Sequence, residues 1–194
     1  MVAVNSTMLP LGTGAPDFRL KDTDGRSAAL EDYSGRPLLV AFICNHCPFV
    51  KHIADEFANF AREAQSRGLA IVGINSNDTT AHPDDAPPRM KEEKQARGYA
   101  FPYLLDESQA VAKAYRAACT PDFYLFDRQH RLVYRGRFDD TRPQQTPPQV
   151  PHGRDLRGAV EALLAGRTVP PDQRPSIGCN IKWKSGNAPD YFTA

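Results

Sequence analysis

The stretch Pro37-Leu-Leu-Val-Ala-Phe-Ile-Cys-Asn-His-Cys-Pro-Phe-Val50 decides the fold, because its hydrophobic pattern changes at a pair of cysteines. Residues 37–43 are a continuous, mainly apolar run of strand length, which predicts a buried central strand. From Pro48 onward the apolar residues recur at helical spacing, and proline is favoured in the first turn of a helix. The two cysteines therefore lie where a buried strand leads into the N-terminus of a long helix.

The surrounding pattern predicts an α/β fold in which a central mixed sheet is flanked by helices. Asp22-Thr-Asp-Gly25 separates two short apolar runs, as in an N-terminal β-hairpin extension. Residues 1–165 are expected to form this domain, and the Pro- and Gly-rich residues 166–194 to form an irregular C-terminal tail packed on it. The further elements that we expect are strands at 69–75 and 103–106, helices at 89–97, 108–118 and 154–164, and a hairpin spanning 122–138.

The composition of the 194 residues suits one globular domain and excludes several classes of partner. Lys and Arg number 24 against 23 Asp and Glu, so the net charge of +1 offers no field for nucleic acid and no polybasic patch for a membrane. No stretch approaches the roughly 20 apolar residues of a membrane-spanning helix. The N-terminal segment lacks a charged region followed by an apolar one, so we expect no secretory signal and a cytoplasmic location.

The position of Cys44 and Cys47 predicts thiol redox chemistry. Free backbone N–H groups and the positive end of the helix dipole would stabilise a thiolate on Cys44, and a thiolate is the form that attacks disulfides. Cys47, in the first helical turn, is near enough to close a small ring and is more enclosed. We therefore expect Cys44 to attack and Cys47 to resolve, while a charge on His46 lowers the pKa of the Cys44 thiol.

A metal site is the main alternative interpretation of the C-x-x-C spacing. A structural zinc site needs four ligands, commonly from a second C-x-x-C or an H-x-x-x-H, and the sequence contains neither pattern. We therefore expect no metal. His82 lies in a polar loop, residues 76–88, and is expected to be solvated, as is His130 in a hairpin turn.

Three segments resemble the alkyl-hydroperoxide-reductase/thiol-specific-antioxidant (AhpC/TSA) branch of the thioredoxin fold. They are Gly14-Ala-Pro-Asp-Phe18, the motif segment Phe42-Ile-Cys-Asn-His-Cys-Pro-Phe-Val50, and Cys119-Thr-Pro-Asp-Phe-Tyr-Leu-Phe-Asp127. Within this branch they match peroxiredoxin-like proteins that carry a C-x-x-C. The resemblance covers residues 10–165, and the tail segment 176–184 is similar to that subgroup as well.

This resemblance implies a thioredoxin fold and a thiol–disulfide oxidoreductase. Pro121 would be the cis-proline that faces the cysteines, and Thr120, Pro121 and Asn45 would contact the substrate. No organic cofactor is implied, because the electrons would reside in a redox-active disulfide. The implied partners are protein or small-molecule disulfides and a thioredoxin- or glutathione-type reductant, with the chain as a monomer or weak dimer. Leu38 replaces the buried acid that thioredoxins carry six positions before the first cysteine, so proton handling must differ.

Two other activities stay open within this fold. In a thiol peroxidase, Cys44 would be the peroxidatic residue that reacts with peroxide, and Arg135 or Arg137 would approach it. Against this, Ala41 stands where peroxiredoxins have a Thr or Ser. A copper chaperone is less favoured, because such proteins typically space their cysteines by three residues and His130 would be a poor third ligand.

Cys119 and Cys179 also leave alternatives. The fold would bring Cys119, just before Thr120, towards the C-x-x-C. The two cysteines could form a disulfide that fixes the tail, or a second redox pair that exchanges with the first. Otherwise Cys119 is buried by itself and Cys179 packs beneath Trp183, because structural disulfides are uncommon in the cytosol.

Overall fold

The computed structural model describes residues 3–192 as a mixed β-sheet with helices on both faces. The helices are α1 (Pro48–Ser66), α2 (Pro87–Arg97), α3 (Ala110–Ala114) and α4 (Arg154–Leu164), with short 3-10 turns at Leu30–Tyr33 and Pro83–Asp85. The strands are β1 (Ala3–Asn5), β2 (Arg19–Asp22), β3 (Ser27–Ala29), β4 (Leu38–Phe42), β5 (Ala70–Asn75), β6 (Tyr103–Leu105), β7 (Cys119–Thr120), β8 (Asp122–Phe126), β9 (Leu132–Gly136) and β10 (Ile177–Asn180).

β4 is a central strand of a seven-stranded sheet with the order β3-β2-β6-β5-β4-β8-β9. It pairs in parallel with β5 and antiparallel with β8, and all of its side chains are buried. A strand covered on both faces has a continuous apolar sequence, which explains why the run that precedes Cys44 shows no polar alternation. The C-x-x-C motif leaves the carboxyl end of this strand and is therefore fixed near the middle of the sheet.

α1 begins with Pro48 at its first position, as predicted, and the chain turns out of the helix at Gly68, whose φ is +97°. Its apolar face packs with α4 and with one side of β4 in a first core, and the other side of β4 packs with α3 in a second core. Among the helices of residues 3–192, none combines the length and the apolarity that crossing a bilayer requires.

The C-terminal residues differ from the irregular tail that the sequence predicts. β10 pairs antiparallel with β1 on one side and with β7 on the other, in a separate three-stranded sheet. Both partners are distant in the chain, and a four-residue segment containing Gly178 has no strand pattern of its own. The pairing places Cys179 opposite Thr120, so the tail reaches the residues next to the cysteine motif.

α3 is shorter than the helix predicted for 108–118. The backbone takes positive φ values at Gln109 (63°) and Arg116 (50°), which end the helical geometry on both sides. The other predicted helices and strands are present, including both hairpins.

Candidate active site

Cys44 and Cys47 meet the Thr120–Pro121 segment at the carboxyl end of β4. Cys44 Sγ lies 3.2 Å from Thr120 Oγ1, and Cys47 Sγ lies 3.1 Å from the Thr120 carbonyl oxygen. The Thr120–Pro121 peptide bond is cis, as the resemblance implies. Cys44 is 2% exposed and Cys47 is fully buried. The structure thus brings together four of the residues that the sequence singles out, with Cys47 as the more enclosed sulfur.

Asp85 anchors the two residues between the cysteines. One of its carboxylate oxygens accepts a 2.8 Å hydrogen bond from the Asn45 backbone N–H, and the other lies 2.6 Å from His46 Nδ1. Asn77 Nδ2 donates to the second oxygen as well, at 2.8 Å. Burial opposes ionisation of this carboxyl, but the hydrogen bonds from His46 and Asn77 hold its pKa below its usual range. Asp85 is therefore an ionised anchor beneath the motif.

Asn45 is engaged inside the protein, although it is predicted to contact substrate. Its side-chain amide donates to the Asp84 carbonyl at 2.8 Å, and its side-chain oxygen accepts a 3.0 Å hydrogen bond from the Tyr103 hydroxyl. Only 8% of its surface is exposed. These bonds fix the backbone between the two cysteines, so Asn45 braces the motif in this structure.

The His46 ring is stacked on His82, with ring centroids 4.9 Å apart and an angle of 12° between the planes. Expecting His82 to be solvated is therefore wrong, because the 76–88 loop folds over the motif and makes the ring half-buried. Since Nδ1 of His46 faces the Asp85 carboxylate, that nitrogen carries a proton. His46 Nε2 is buried and has no hydrogen-bond partner among the described residues.

The two sulfurs of the motif do not ionise alike. Hydrogen bonds from Cys179 and Cys44 lower the pKa of Cys47, which is also the N-cap residue of α1. Burial raises the pKa of the Cys44 thiol, and its hydrogen bond with Cys47 and the charge of Asp85 raise it further. The raised pKa of Cys44 runs against the thiolate that the sequence predicts on that sulfur. The hydrogen bonds to Cys47 and its place at the N-terminus of α1 favour ionisation of Cys47 over ionisation of Cys44.

The structure does not bring Cys119 and Cys179 together as a pair. Neighbouring residues of a strand point to opposite faces, so Cys119 points away from the side on which Thr120 and its partner Cys179 lie. Cys119 is a buried thiol whose pKa is raised by burial, and its sulfur lies 3.8 Å from the Pro121 carbonyl oxygen. Cys179 instead forms a hydrogen bond with Cys47.

Cys44, His46 and Asp85 offer one potential metal-ligand atom each, and these atoms lie within 4.8 Å of one another. A cation that used the carboxylate and the ring nitrogen facing it would have to replace the 2.6 Å hydrogen bond between them. In this structure the carboxylate and the His46 ring are engaged in hydrogen bonds within the motif.

The two arginines considered for a peroxidase are engaged elsewhere. The Arg135 guanidinium donates to the Leu9 carbonyl and to Gln173, at 2.9 and 2.7 Å. Arg137 Nε lies 2.5 Å from Asp155.

Asp85 is the main residue that the sequence does not single out, because it lies in a polar loop and no spacing relates it to the cysteines.

The sequence pattern of the AhpC/TSA family matches residues 11–135. The chloroplastic peroxiredoxin Q of Oryza sativa subsp. japonica is 31% identical over 103 residues, which cover 53% of this chain and 44% of that protein. The thiol-disulfide oxidoreductase ResA of Geobacillus thermodenitrificans is 27% identical over 128 residues, which cover 65% of this chain and 68% of that protein. The match thus spans less than half of the peroxiredoxin's length.

Solved structures share the fold. An uncharacterized conserved protein from Geobacillus kaustophilus has a TM-score of 0.90 and 52% identity, covering 95% of this chain and 97% of that one. The thioredoxin domain of a thiol-disulfide oxidoreductase from Bacteroides vulgatus, at 21% identity, shares the fold alone, with a TM-score of 0.56 over 66% of this chain and 88% of that one. Since the family pattern covers more than half of the sequence, this protein belongs to the AhpC/TSA family, as a peroxiredoxin-like member with a thioredoxin fold.

Proposed function

We propose that this chain is a thiol–disulfide oxidoreductase in which Cys44 attacks a substrate disulfide and Cys47 resolves the mixed disulfide. The observation that carries the proposal is the pair of hydrogen-bonded sulfurs beside Thr120, one slightly exposed and one fully buried. A relative named thiol-disulfide oxidoreductase adds support. The electrons would reside in the cysteine pair itself, without an organic cofactor.

The first step uses the unequal protonation of the two sulfurs. Cys44 passes its proton to the Cys47 thiolate and becomes the nucleophile, since Cys47 already receives the Cys44 hydrogen in the resting state. The Cys44 thiolate forms a bond with one sulfur of the substrate and displaces the other sulfur as a thiolate. Cys47 therefore acts as the internal base. Thioredoxins carry a buried acid at the position that Leu38 occupies here, so this chain needs another group for the proton.

In the second step the displaced substrate thiolate takes the proton from Cys47. The Cys47 thiolate then attacks the Cys44 sulfur, closes the Cys44–Cys47 disulfide and releases the second substrate sulfur as a thiolate. One disulfide has been reduced, one has formed, and the single negative charge has left with the substrate. A thiol reductant of the thioredoxin or glutathione type reverses these steps and restores the dithiol.

Thr120 and Pro121 would hold the substrate segment beside Cys44, and the Asp85–His46 contact would keep the motif backbone in place. Protein disulfides and small-molecule disulfides are both within this proposal. We further propose a cytoplasmic monomer or weak dimer; in that compartment the thiol pools would return the pair to its reduced form.

A defined disulfide tests the proposal. Reduced protein is mixed with a single equivalent of a chromogenic aromatic disulfide, and the released thiolate and the protein mass are followed. Wild-type protein should release both halves of the reagent, because Cys47 resolves the adduct. Cys47→Ser should release one half, more slowly because the internal base is gone, and should retain the other half on Cys44.

Cys119→Ser is the matched control, since it removes a buried thiol outside the site, and it should behave as wild type. A Cys47→Ser protein that forms no adduct on Cys44, or a wild-type protein that keeps its adduct, would contradict the proposal. The trapped Cys47→Ser variant would then serve to capture disulfide-bearing partner proteins.

A thiol peroxidase is the second candidate, and one contact favours it. The Thr120 hydroxyl, 3.2 Å from Cys44 Sγ, offers the hydrogen-bonding group that Ala41 does not supply. Stopped-flow mixing of the reduced protein with hydrogen peroxide, followed by Trp183 fluorescence with Cys44→Ser as control, separates the two. Oxidation no faster than that of an ordinary thiolate supports the disulfide chemistry. Cys44-dependent oxidation that is orders of magnitude faster would replace it with the peroxidase.

A further inference from the structure

A third cysteine lies next to the C-x-x-C pair. β10 is paired with β7 so that Cys179 stands directly opposite Thr120, whose carbonyl oxygen is 3.1 Å from Cys47 Sγ. Cys179 and Cys47 belong to the same buried cluster, and Cys179 is hydrogen bonded to Cys47. Cys47 therefore has a cysteine on each side, Cys44 from its own motif and Cys179 from the tail.

The close approach of β10 depends on Gly178. A Cβ atom at this position would lie 2.0 Å from the Thr120 carbonyl oxygen and 3.2 Å from the Pro121 nitrogen, so a side chain there would force the strand away. The tail is also tied down on its far side, where the Lys182 backbone N–H donates to Asn77 and the Lys182 carbonyl accepts from Gln109, at 2.8 and 2.9 Å. Cys179 is thus fixed against the motif by bonds on both sides.

Building on the proposed function, we propose that Cys179 is a second resolving residue, which takes Cys47 out of the Cys44–Cys47 disulfide and forms a Cys47–Cys179 disulfide. The step is an internal thiol–disulfide exchange and needs no further oxidant. The Cys179 sulfur loses its proton and bonds to the Cys47 sulfur, the Cys44–Cys47 bond breaks, and the Cys44 sulfur leaves as a thiolate that takes the proton.

Oxidation itself prepares Cys179 for this step. In the dithiol state the hydrogen bond to Cys47 and burial raise the pKa of Cys179, while the charge of Lys182 lowers it. Once Cys47 is in a disulfide, its negative charge is gone and the charge of Lys182 remains. Cys179 is then easier to ionise, so it becomes a better nucleophile only after the first disulfide has formed.

The exchange changes what Cys44 can do. Cys44 becomes a thiol again while its resolving partner is locked to Cys179. A mixed disulfide formed on Cys44 in this state has no internal thiol to resolve it and waits for an external one. The third cysteine therefore converts a two-cysteine mechanism into a one-cysteine mechanism when the protein is oxidised.

Disulfide mapping of the oxidised protein tests the proposal. Reduced wild-type protein is oxidised with one equivalent of a disulfide reagent, quenched with acid, alkylated and digested with trypsin. The first tryptic peptide, Ser27–Lys51, contains Cys44 and Cys47, and the second, Thr168–Lys182, contains Cys179. Both stay intact because trypsin does not cleave before Pro37 or Pro175. Cys119 lies in a third peptide, Ala117–Arg128. We expect the first two peptides to be joined through Cys47 in part of the protein, with alkylated Cys44.

Cys179→Ser should retain only the internal Cys44–Cys47 disulfide, and Cys119→Ser should give the wild-type pattern. After oxidation, excess glutathione disulfide should label Cys44 at least severalfold more in wild type than in Cys179→Ser. An internal Cys44–Cys47 disulfide with Cys179 fully alkylated, or a Cys119–Cys179 link, overturns this proposal and leaves the proposed function standing. Absence of every disulfide in wild-type protein would instead count against the proposed function.

Discussion

Asp85 contributes to the raised pKa of the Cys44 thiol. Burial disfavours its ionised form, yet hydrogen bonds from His46 and Asn77 keep its pKa low. An ionised carboxylate this close contributes to the raised pKa of the Cys44 thiol, while Cys47 lies at the helix end and has a lowered pKa. The charge of Asp85 therefore adds to the effect of burial and favours the protonated form of Cys44.

Replacing Asp85 by Asn should make Cys44 easier to ionise. The amide oxygen can still accept the Asn45 N–H, but the negative charge that raises the pKa of Cys44 is removed. The pH profile for alkylation of Cys44 by iodoacetamide, read by mass spectrometry, should shift towards lower pH. Asp84→Asn is the matched control, because Asp84 is exposed and contacts Asn45 only through its backbone carbonyl. An unchanged profile in Asp85→Asn would contradict the role assigned to the charge.

The cysteines and Thr120–Pro121 can be predicted from the sequence because local spacing identifies them: a C-x-x-C between an apolar run and a helix, and a Thr-Pro before a strand. Asp85 and His82 cannot, because they reach the motif only when the 76–88 loop folds over it. The lowered pKa of Cys47 cannot be predicted from the sequence for a related reason. It depends on Cys179, whose approach is set by strand pairing across the whole chain.

β10 is a strand because of the strands that it pairs with, and its own sequence does not predict it. Its sequence, Ile-Gly-Cys-Asn, lies in a Pro- and Gly-rich tail and has neither an apolar run nor alternation. Pairing with β1 and β7 supplies the backbone hydrogen bonds that make it a strand. By contrast, β4 and α1 can be predicted from their own sequences, because β4 is a continuous apolar run of strand length and the apolar residues of α1 recur at helical spacing.

Gly178→Ala should loosen this strand. The added methyl would meet the Thr120 carbonyl at 2.0 Å, and overpacking against backbone costs about 1–3 kcal/mol. Urea unfolding should show that loss, and Cys179 should be alkylated faster because β10 has moved from Cys47. Gly158→Ala in α4 is the matched control: nothing lies within 4 Å of its Cβ position, so the free energy of unfolding should rise by about 0.5 kcal/mol. Equal stabilities for the two variants would refute the close approach.

At the scale of the whole molecule, the sheet separates two cores, and the cysteine site belongs to one of them. Cys44, Cys47 and Cys179 lie in the core of α1 and α4, whereas Tyr124 and Phe126 of β8 lie in the core of α3. Alternation along β8 places Asp122 on the side of Tyr124, whose hydroxyl donates to it at 2.9 Å. This carboxyl is fully buried, and one of its oxygens has no hydrogen-bond partner among the described residues.

Asp122 should make the stability of the protein depend on pH. Burial raises its pKa to about 8, so between the unfolded-state pKa of about 4 and this value the folded protein keeps a proton that the unfolded chain releases. Its contribution to the free energy of unfolding is therefore present at low pH and is lost as pH rises towards 8. Other groups also titrate in this range, Cys47 in the opposite direction, and comparison with Asp122→Asn at each pH cancels their effects.

Urea unfolding of reduced wild-type and Asp122→Asn protein at pH 5 to 9 provides the measurement. Asparagine keeps an oxygen for the Tyr124 hydroxyl and carries no charge, so the variant should gain stability relative to wild type by up to about 1.4 kcal/mol for each pH unit between 5 and 8. Above that range the difference should level off. A difference that stays constant from pH 5 to 9 would mean that Asp122 has the same ionisation in the folded and unfolded protein, and the α3 core would then have to accommodate a buried carboxylate.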